Sequence, residues 1–211
     1  MKNFAGVALP LAVAGFVASL PNLILNGGRG FAIAMLSSNS IDPFLLTVIN
    51  AGSGLITYLI SVAAQAYILG GMVHFSLQVC RGQRPEFGTV FAGGPYFGSM
   101  LGATILYSLG VGAGSIFCLV PGLFLAGCWV AYSAFVVDKG AGAISSLGAS
   151  WQATAPYRTN ALIYILLAIV VAIAGILACF IGALLVSFPV LMIANAYIYL
   201  KLIGEQPRLA T

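Results

Sequence analysis

Asn50, Ser53, Thr57, Ser61 and Gln65 recur at steps of 3, 4, 4 and 4 along an otherwise apolar run. That spacing places five neutral polar side chains on one face of a helix. Amides and hydroxyls donate and accept hydrogen bonds but carry no charge at neutral pH. The stripe therefore has two uses: lining a narrow polar path or small-molecule site, or bonding other helices inside a bundle. Acid–base chemistry has little to work with. The chain holds four acidic residues and one histidine, His74, which has no Cys, Asp or Ser at helical spacing to form a ligand set or a catalytic pair. Cys80, Cys118, Cys128 and Cys179 show neither CxxC nor Cys/His spacing, so no metal site or disulfide framework is indicated. We read no catalytic, cofactor-binding or metal-binding residue in the sequence, and expect a protein that is not an enzyme. No charge is expected deep inside a span, which argues against an ion-coupled pump.

The elements that must carry this stripe follow from composition. Of 211 residues, 61% are hydrophobic and 6% charged, with a mean hydropathy of +1.09. Soluble domains carry roughly a quarter of their residues as charges. The solvent for most of this surface must be lipid. The net charge of +4 is scattered, which fits anionic headgroups and gives no nucleic-acid footprint.

Runs long enough to span lie at Phe4–Leu25, Phe44–Leu69, Pro95–Cys118, Pro121–Val137, Thr159–Cys179 and Gly182–Leu202. The first also has a signal-peptide shape, with Lys2, an apolar core and Val17-Ala18-Ser19; it is read here as an uncleaved anchor. The third and fourth meet at the Pro121-Gly122 corner, and the fifth and sixth at "CFIG", as hairpins with almost no loop. With both termini cytoplasmic, Lys2, Arg81, Arg84, Lys139, Arg158, Lys201 and Arg208 fall inside and only Arg29 outside, as the positive-inside bias requires. Arg81, Arg84, Asp138, Lys139 and Arg158 then act as topology anchors. Gly30–Ser38 is too short to span and is expected on the outer interface. Lys139–Arg158, with Ala143, Leu147, Ala149 and Trp151 as its apolar positions and Tyr157 beside them, reads as a cytoplasmic interfacial helix. The segment with Phe87, Val90 and Phe91 reads likewise. A second helix running from Phe44 to Cys80 would be about 55 Å long, so a break at Gly70-Gly71 or an inward protrusion is expected.

At a shift of 61 residues, Pro95-Tyr96 aligns with Pro156-Tyr157, Leu101 with Leu162, Ala113-Gly114 with Ala174-Gly175, Cys118 with Cys179 and Leu123 with Leu184. Two hairpins in parallel orientation, related by a pseudo-two-fold along the membrane normal, are expected. Gly94, Gly98 and Gly102 form a GxxxGxxxG stripe on the third span, a groove for another span of the chain or for a second subunit. Cys118 and Cys179, at equivalent outer turns, are either a periplasmic disulfide or isolated small apolar residues. The fold expected is an all-α integral membrane protein of six transmembrane helices. It forms one domain over residues 1–211, with an N-terminal pair of spans (1–80), hairpins at 81–140 and 141–202, and a tail at 203–211.

"RGQRPEFGTVFAGG", "CLVPGLFLAGCWVAYSAFVVDKG", a small-residue helix with "ASW" and a closing "NAYIYLKL" together resemble a bacterial family. It is the membrane domain found fused to glycerophosphoryl diester phosphodiesterases, with its stand-alone multi-span relatives. The resemblance covers roughly residues 70–202. It implies a six-helix fold in the inner membrane and brings no established activity; the phosphodiesterase domain itself is not in these residues. Two functions remain expected: an accessory or scaffold subunit packing against other membrane subunits or a second copy of itself, or a carrier or binder of a small neutral or lipidic solute. A cavity along the second-span stripe favours the solute; the same side chains in a dry helix contact favour the scaffold.

Overall fold

The computed structural model describes residues 4–37, 42–177 and 186–208. Eight α-helices run along them: α1 (Phe4–Ser37), α2 (Pro43–Cys80), α3 (Phe97–Phe117), α4 (Leu119–Cys128), α5 (Tyr132–Lys139), α6 (Ala143–Thr154), α7 (Arg158–Leu177) and α8 (Phe188–Leu202). No strand occurs among the described residues. Five stretches, 6–37, 43–80, 87–116, 120–139 and 143–177, are long and apolar enough to cross a bilayer. The last expected span appears as the 15 residues of α8, its start lying outside the described residues. Phe44, Ile116 and Leu177 are 77%, 86% and 81% exposed, large apolar side chains suited to lipid as solvent.

α1 does not stop at Leu25. It continues to Ser37 in one helix, so the expected separate outer segment at Gly30–Ser38 is, as far as it is described, the last turns of α1. In an apolar setting the Asn26-Gly-Gly-Arg-Gly stretch has to satisfy its backbone within a helix, and the Asn26 amide donates back to the Asn22 carbonyl at 2.9 Å.

α2 begins on Asp42, whose carboxylate accepts the Phe44 N–H at 2.8 Å, with Pro43 in the first turn. It runs unbroken through Gly70-Gly71. A Cβ at Gly71 would overlap the Val90 carbonyl, and one at Gly93 the Tyr67 carbonyl. These glycines clear a seat for the 3-10 turn Phe87–Phe91 against α2, and Val90 there is fully buried.

The fourth expected span is also different in detail. The corner residue is Cys118, in extended conformation between α3 and α4. Pro121 and Gly122 sit in the first turn of α4, where a missing N–H costs nothing. The run then breaks at Trp129–Ala131 between α4 and α5.

Two apolar cores hold the helices. Leu11 and Ala14 of α1 meet Phe75 and Val79 of α2 around Val90. Leu77, Met100, Val136, Leu147 and Tyr199 join α2, α3, α5, α6 and α8. Because Leu11 lies near Phe75, and the Arg208 N–H donates to the Cys80 carbonyl at 2.7 Å, the start of α1 and the C-terminal segment share one end of the molecule with Arg81.

Pro95-Tyr96 and Pro156-Tyr157 each lie in a 3-10 turn that opens a long helix, of 21 residues in α3 and 20 in α7. What precedes them differs, a five-residue 3-10 turn in one and the 12-residue α6 in the other. Cys179 and Leu184 lie outside the described residues.

Candidate functional site

Thr57, Ser61 and Gln65 of the α2 stripe face a cavity of about 390 Å³, together with Asn22 and Asn26 of α1 and Thr104 and Ser108 of α3. Gly54, Tyr58 and Val62 complete its wall. A second lobe of about 290 Å³ shares Asn22, Gln65 and Thr104 and runs on between Gly15, Ala18, Leu69, Met72, Phe188 and Met192. The space thus has a hydrogen-bonding end and an apolar end. Its size is that of small-molecule sites. The Ser61 hydroxyl is buried and has no hydrogen-bond partner, so a polar group is left for an occupant. No carboxylate, amine, guanidinium or imidazole lines either lobe. The site can bind and orient. Among the described residues no group of three or more His, Cys, Asp or Glu could hold a metal.

Asn50 and Ser53 do not take part: the Ser53 hydroxyl donates to the Asn50 carbonyl at 3.2 Å, on exposed helix surface. The sequence reading missed the α1 and α3 walls. Ser19, Asn22, Asn26 and Arg29 follow steps of 3, 4 and 3, and Thr104 and Ser108 a step of 4; ending the first span at Leu25 cut the first of these stripes in two.

A second polar site closes the charged end. Arg81 donates to Asp138 at 2.6 Å and, through Nε and a terminal nitrogen, to Glu205 at 3.0 and 3.2 Å. The Tyr199 hydroxyl donates to the other Asp138 oxygen at 2.7 Å, and Lys139 lies 3.5 Å from it. The cluster ties α2, α5, α8 and the C-terminal segment. Hydrogen bonds to Asp138 and then Glu205 raise the Arg81 pKa above its ordinary value, so this cation stays charged. Arg81, Asp138 and Lys139 were expected as separate anchors and form one ionic clasp. Arg84 is exposed on the loop beyond it.

At the α4–α5 break the freed backbone groups find partners on α6. Ser150 donates to the Cys128 carbonyl at 3.0 Å and accepts the Ala131 N–H at 3.2 Å. Thr154 is 2.9 Å from the same carbonyl. The buried face of α6 is Ser146, Leu147, Ser150 and Thr154, whereas Ile144 is exposed. Of the expected apolar positions, Leu147 is buried and Ala143 and Ala149 pack on the same core, so hydroxyl and apolar positions share the packed side of α6.

Arg158, expected as a topology anchor, packs on aromatic rings. Its guanidinium lies 4.7 Å from the Trp151 ring and 5.8 Å from that of Phe124. Phe124 is three residues past Pro121, about 4.5 Å of helix rise. Arg158 and the Pro121-Gly122 corner therefore lie near one another. Arg158 is a cation held on two aromatic rings beside the α4–α6 junction.

The glycine stripe does not make one seat within the chain. Gly98 faces open space, Gly94 belongs to a 3-10 turn, and Gly102 alone approaches another helix, at Ala143 of α6. Close approach instead occurs at Gly110 under Trp129, Gly114 against Gly122 and Gly127 against Ala161. His74 pairs with Gln78 at 3.0 Å and lies beside the Tyr96 ring. The Cys118–Cys179 pairing falls on a residue outside the described ones. No family model, curated protein or solved structure matches the chain.

Proposed function

We propose that this membrane protein binds a small neutral or lipidic solute in the cavity between α1, α2, α3 and α8. One observation carries the reading: Thr57, Ser61 and Gln65 line a cavity that α1 and α3 complete, and the Ser61 hydroxyl there is buried and unpaired. Native mass measurement of the whole chain in a mild neutral detergent tests it. The wild type should retain a stoichiometric adduct of lipid or solute mass, and Ser61→Trp, which fills the space, should lose it while keeping its helical circular dichroism. A bare wild type, or an adduct indifferent to Ser61→Trp, contradicts the proposal.

An accessory-subunit role, through another membrane protein or a second copy of this chain, is favoured by a different feature. α1 and α2 have 34 and 38 residues, about 51 and 57 Å at 1.5 Å each. Their distal halves expose Leu23, Ile24, Phe31, Phe44 and Leu45. Such a hairpin outreaches the hydrocarbon layer and offers a partner an apolar face. The same spectra decide this: recovery only as a monomer counts against it.

We place the protein in a bacterial inner membrane, as the resemblance to the phosphodiesterase-linked family implies, with six crossings and the clasp end, both termini included, in the cytoplasm. The fifth crossing is then α6 with α7, and the two hairpins are a parallel repeat. Support comes from Arg81, Lys139 and Arg208 sharing one end while Arg29 lies against Gly54, 27 residues or about 40 Å up α2 from Arg81.

A further inference from the structure

We infer that the occupant of the cavity is a single-chain amphiphile with an anionic phosphate head, the head at Arg29 and the chain in the apolar lobe; this rests on the cavity being a binding site. Arg29 continues the α1 face that carries Asn22 and Asn26. Its guanidinium lies against Gly54, a cavity-wall residue, where any Cβ would collide with it. Glycine at this position is what lets the cation reach the rim of the polar lobe. Among the described residues no carboxylate pairs with Arg29: the ion pairs there are all made by Arg81 and Lys139, at the other end of α2. A guanidinium with no carboxylate beside it is free to take an anion, and the fork of Arg suits a phosphate.

Next along the space come amides and hydroxyls, from Asn26 to Gln65, with the unpaired Ser61 hydroxyl among them. These match the ester and hydroxyl oxygens of a glycerol linker. Beyond Gln65 the wall turns to Leu69, Met72, Phe188 and Met192, an apolar surface with two adaptable Met side chains. The volume of about 290 Å³ suits one chain. Charge, then hydrogen-bonding, then apolar surface follow one another in the order of a lysophospholipid.

The experiment is titration of the purified full chain, in neutral maltoside detergent, with three probes: palmitoyl-lysophosphatidylglycerol, monopalmitoylglycerol and glycerol 3-phosphate. Wild type should bind the first about tenfold more tightly than the second, the worth of one charge-assisted contact, and should not bind the third. Arg29→Gln should abolish the tenfold preference through weaker binding of the phospholipid, and Arg29→Lys should keep part of it. Equal affinity of wild type for both lipids, or a preference that survives Arg29→Gln, overturns the anionic head and leaves the cavity reading standing. Glycerol 3-phosphate binding as tightly as the lipid overturns the place of the chain. Failure of both lipids to bind overturns this inference alone, because the adduct lost in Ser61→Trp decides separately whether the cavity binds a solute.

Discussion

Ser150 has a structural task that its residue type does not announce. One hydroxyl donates to the Cys128 carbonyl and accepts the Ala131 N–H, replacing two backbone bonds that the α4–α5 break removes. Thr154 has a single hydroxyl proton and three carbonyls within reach, those of Cys128, Ser150 and Trp151, so it supports the break without being its sole partner. Ser150→Ala leaves a buried N–H and weakens a buried carbonyl, and should lower the unfolding free energy by about 1–2 kcal/mol. Thr154→Val should cost about 0.6 kcal/mol, the average for polar contacts between membrane helices. Unfolding in mixed detergent measures both; equal costs, or the reverse order, contradict this division of labour. The Ser146, Ser150, Thr154 spacing was visible in the sequence, yet a helix-breaking site at Trp129–Ala131 was not. Apart from Gly127, nothing in "GCWVAYS" marks a helix end, and it is the packed α6 hydroxyls that offset the cost of the break.

Between elements, space and charge decide. Gly71→Ala puts a methyl group into the Val90 carbonyl, a backbone atom that cannot swing aside; the 3-10 seat must shift, and a loss of about 2 kcal/mol is expected. Gly98→Ala meets open space within α3 and should be neutral or stabilising by about 0.5–1 kcal/mol. Thermal unfolding of the two variants distinguishes them, and similar shifts would show that the glycines are not used as described. In the clasp, the Asp138 side chain is 9% exposed and that of Glu205 43%. Arg81→Gln strands the buried Asp138 carboxylate, with only Lys139 and the Tyr199 hydroxyl left beside it, and should cost about 2 kcal/mol. Glu205→Gln removes a solvated pair and should cost no more than about 1 kcal/mol. A denaturation midpoint that falls further for Glu205→Gln than for Arg81→Gln sinks the ranking. The sequence placed these charges at one end by counting. It could not show that a glutamate near the C-terminus and a tyrosine of α8 complete the cluster, because those contacts span 124 and 61 residues.

For the whole molecule, composition alone identified a helical protein bathed in lipid, since no arrangement of 61% hydrophobic residues could be hidden from water. The helix lengths were less legible. α1 ran past its Gly-Gly-Arg-Gly stretch because lipid rewards internal hydrogen bonding wherever the chain goes, and the two aromatic rings that hold Arg158 lie 34 and 7 residues before it in the sequence. Three of the ten residues around the polar cavity, Thr57, Ser61 and Gln65, were legible as the α2 stripe; their partners on α1 and α3 become a site only when three helices are set side by side. The central claim is that this stripe borders a space open to polar occupants. Thiol labelling in native membranes, read against the wild-type background, tests it most directly. Ser61→Cys, in the cavity wall, should react with a small hydrophilic methanethiosulfonate and be protected by added lysophospholipid, whereas Leu59→Cys, exposed on the lipid side of the same turn, should stay silent. Ser61→Cys as inert as Leu59→Cys would mean a dry helix contact, and would contradict the account.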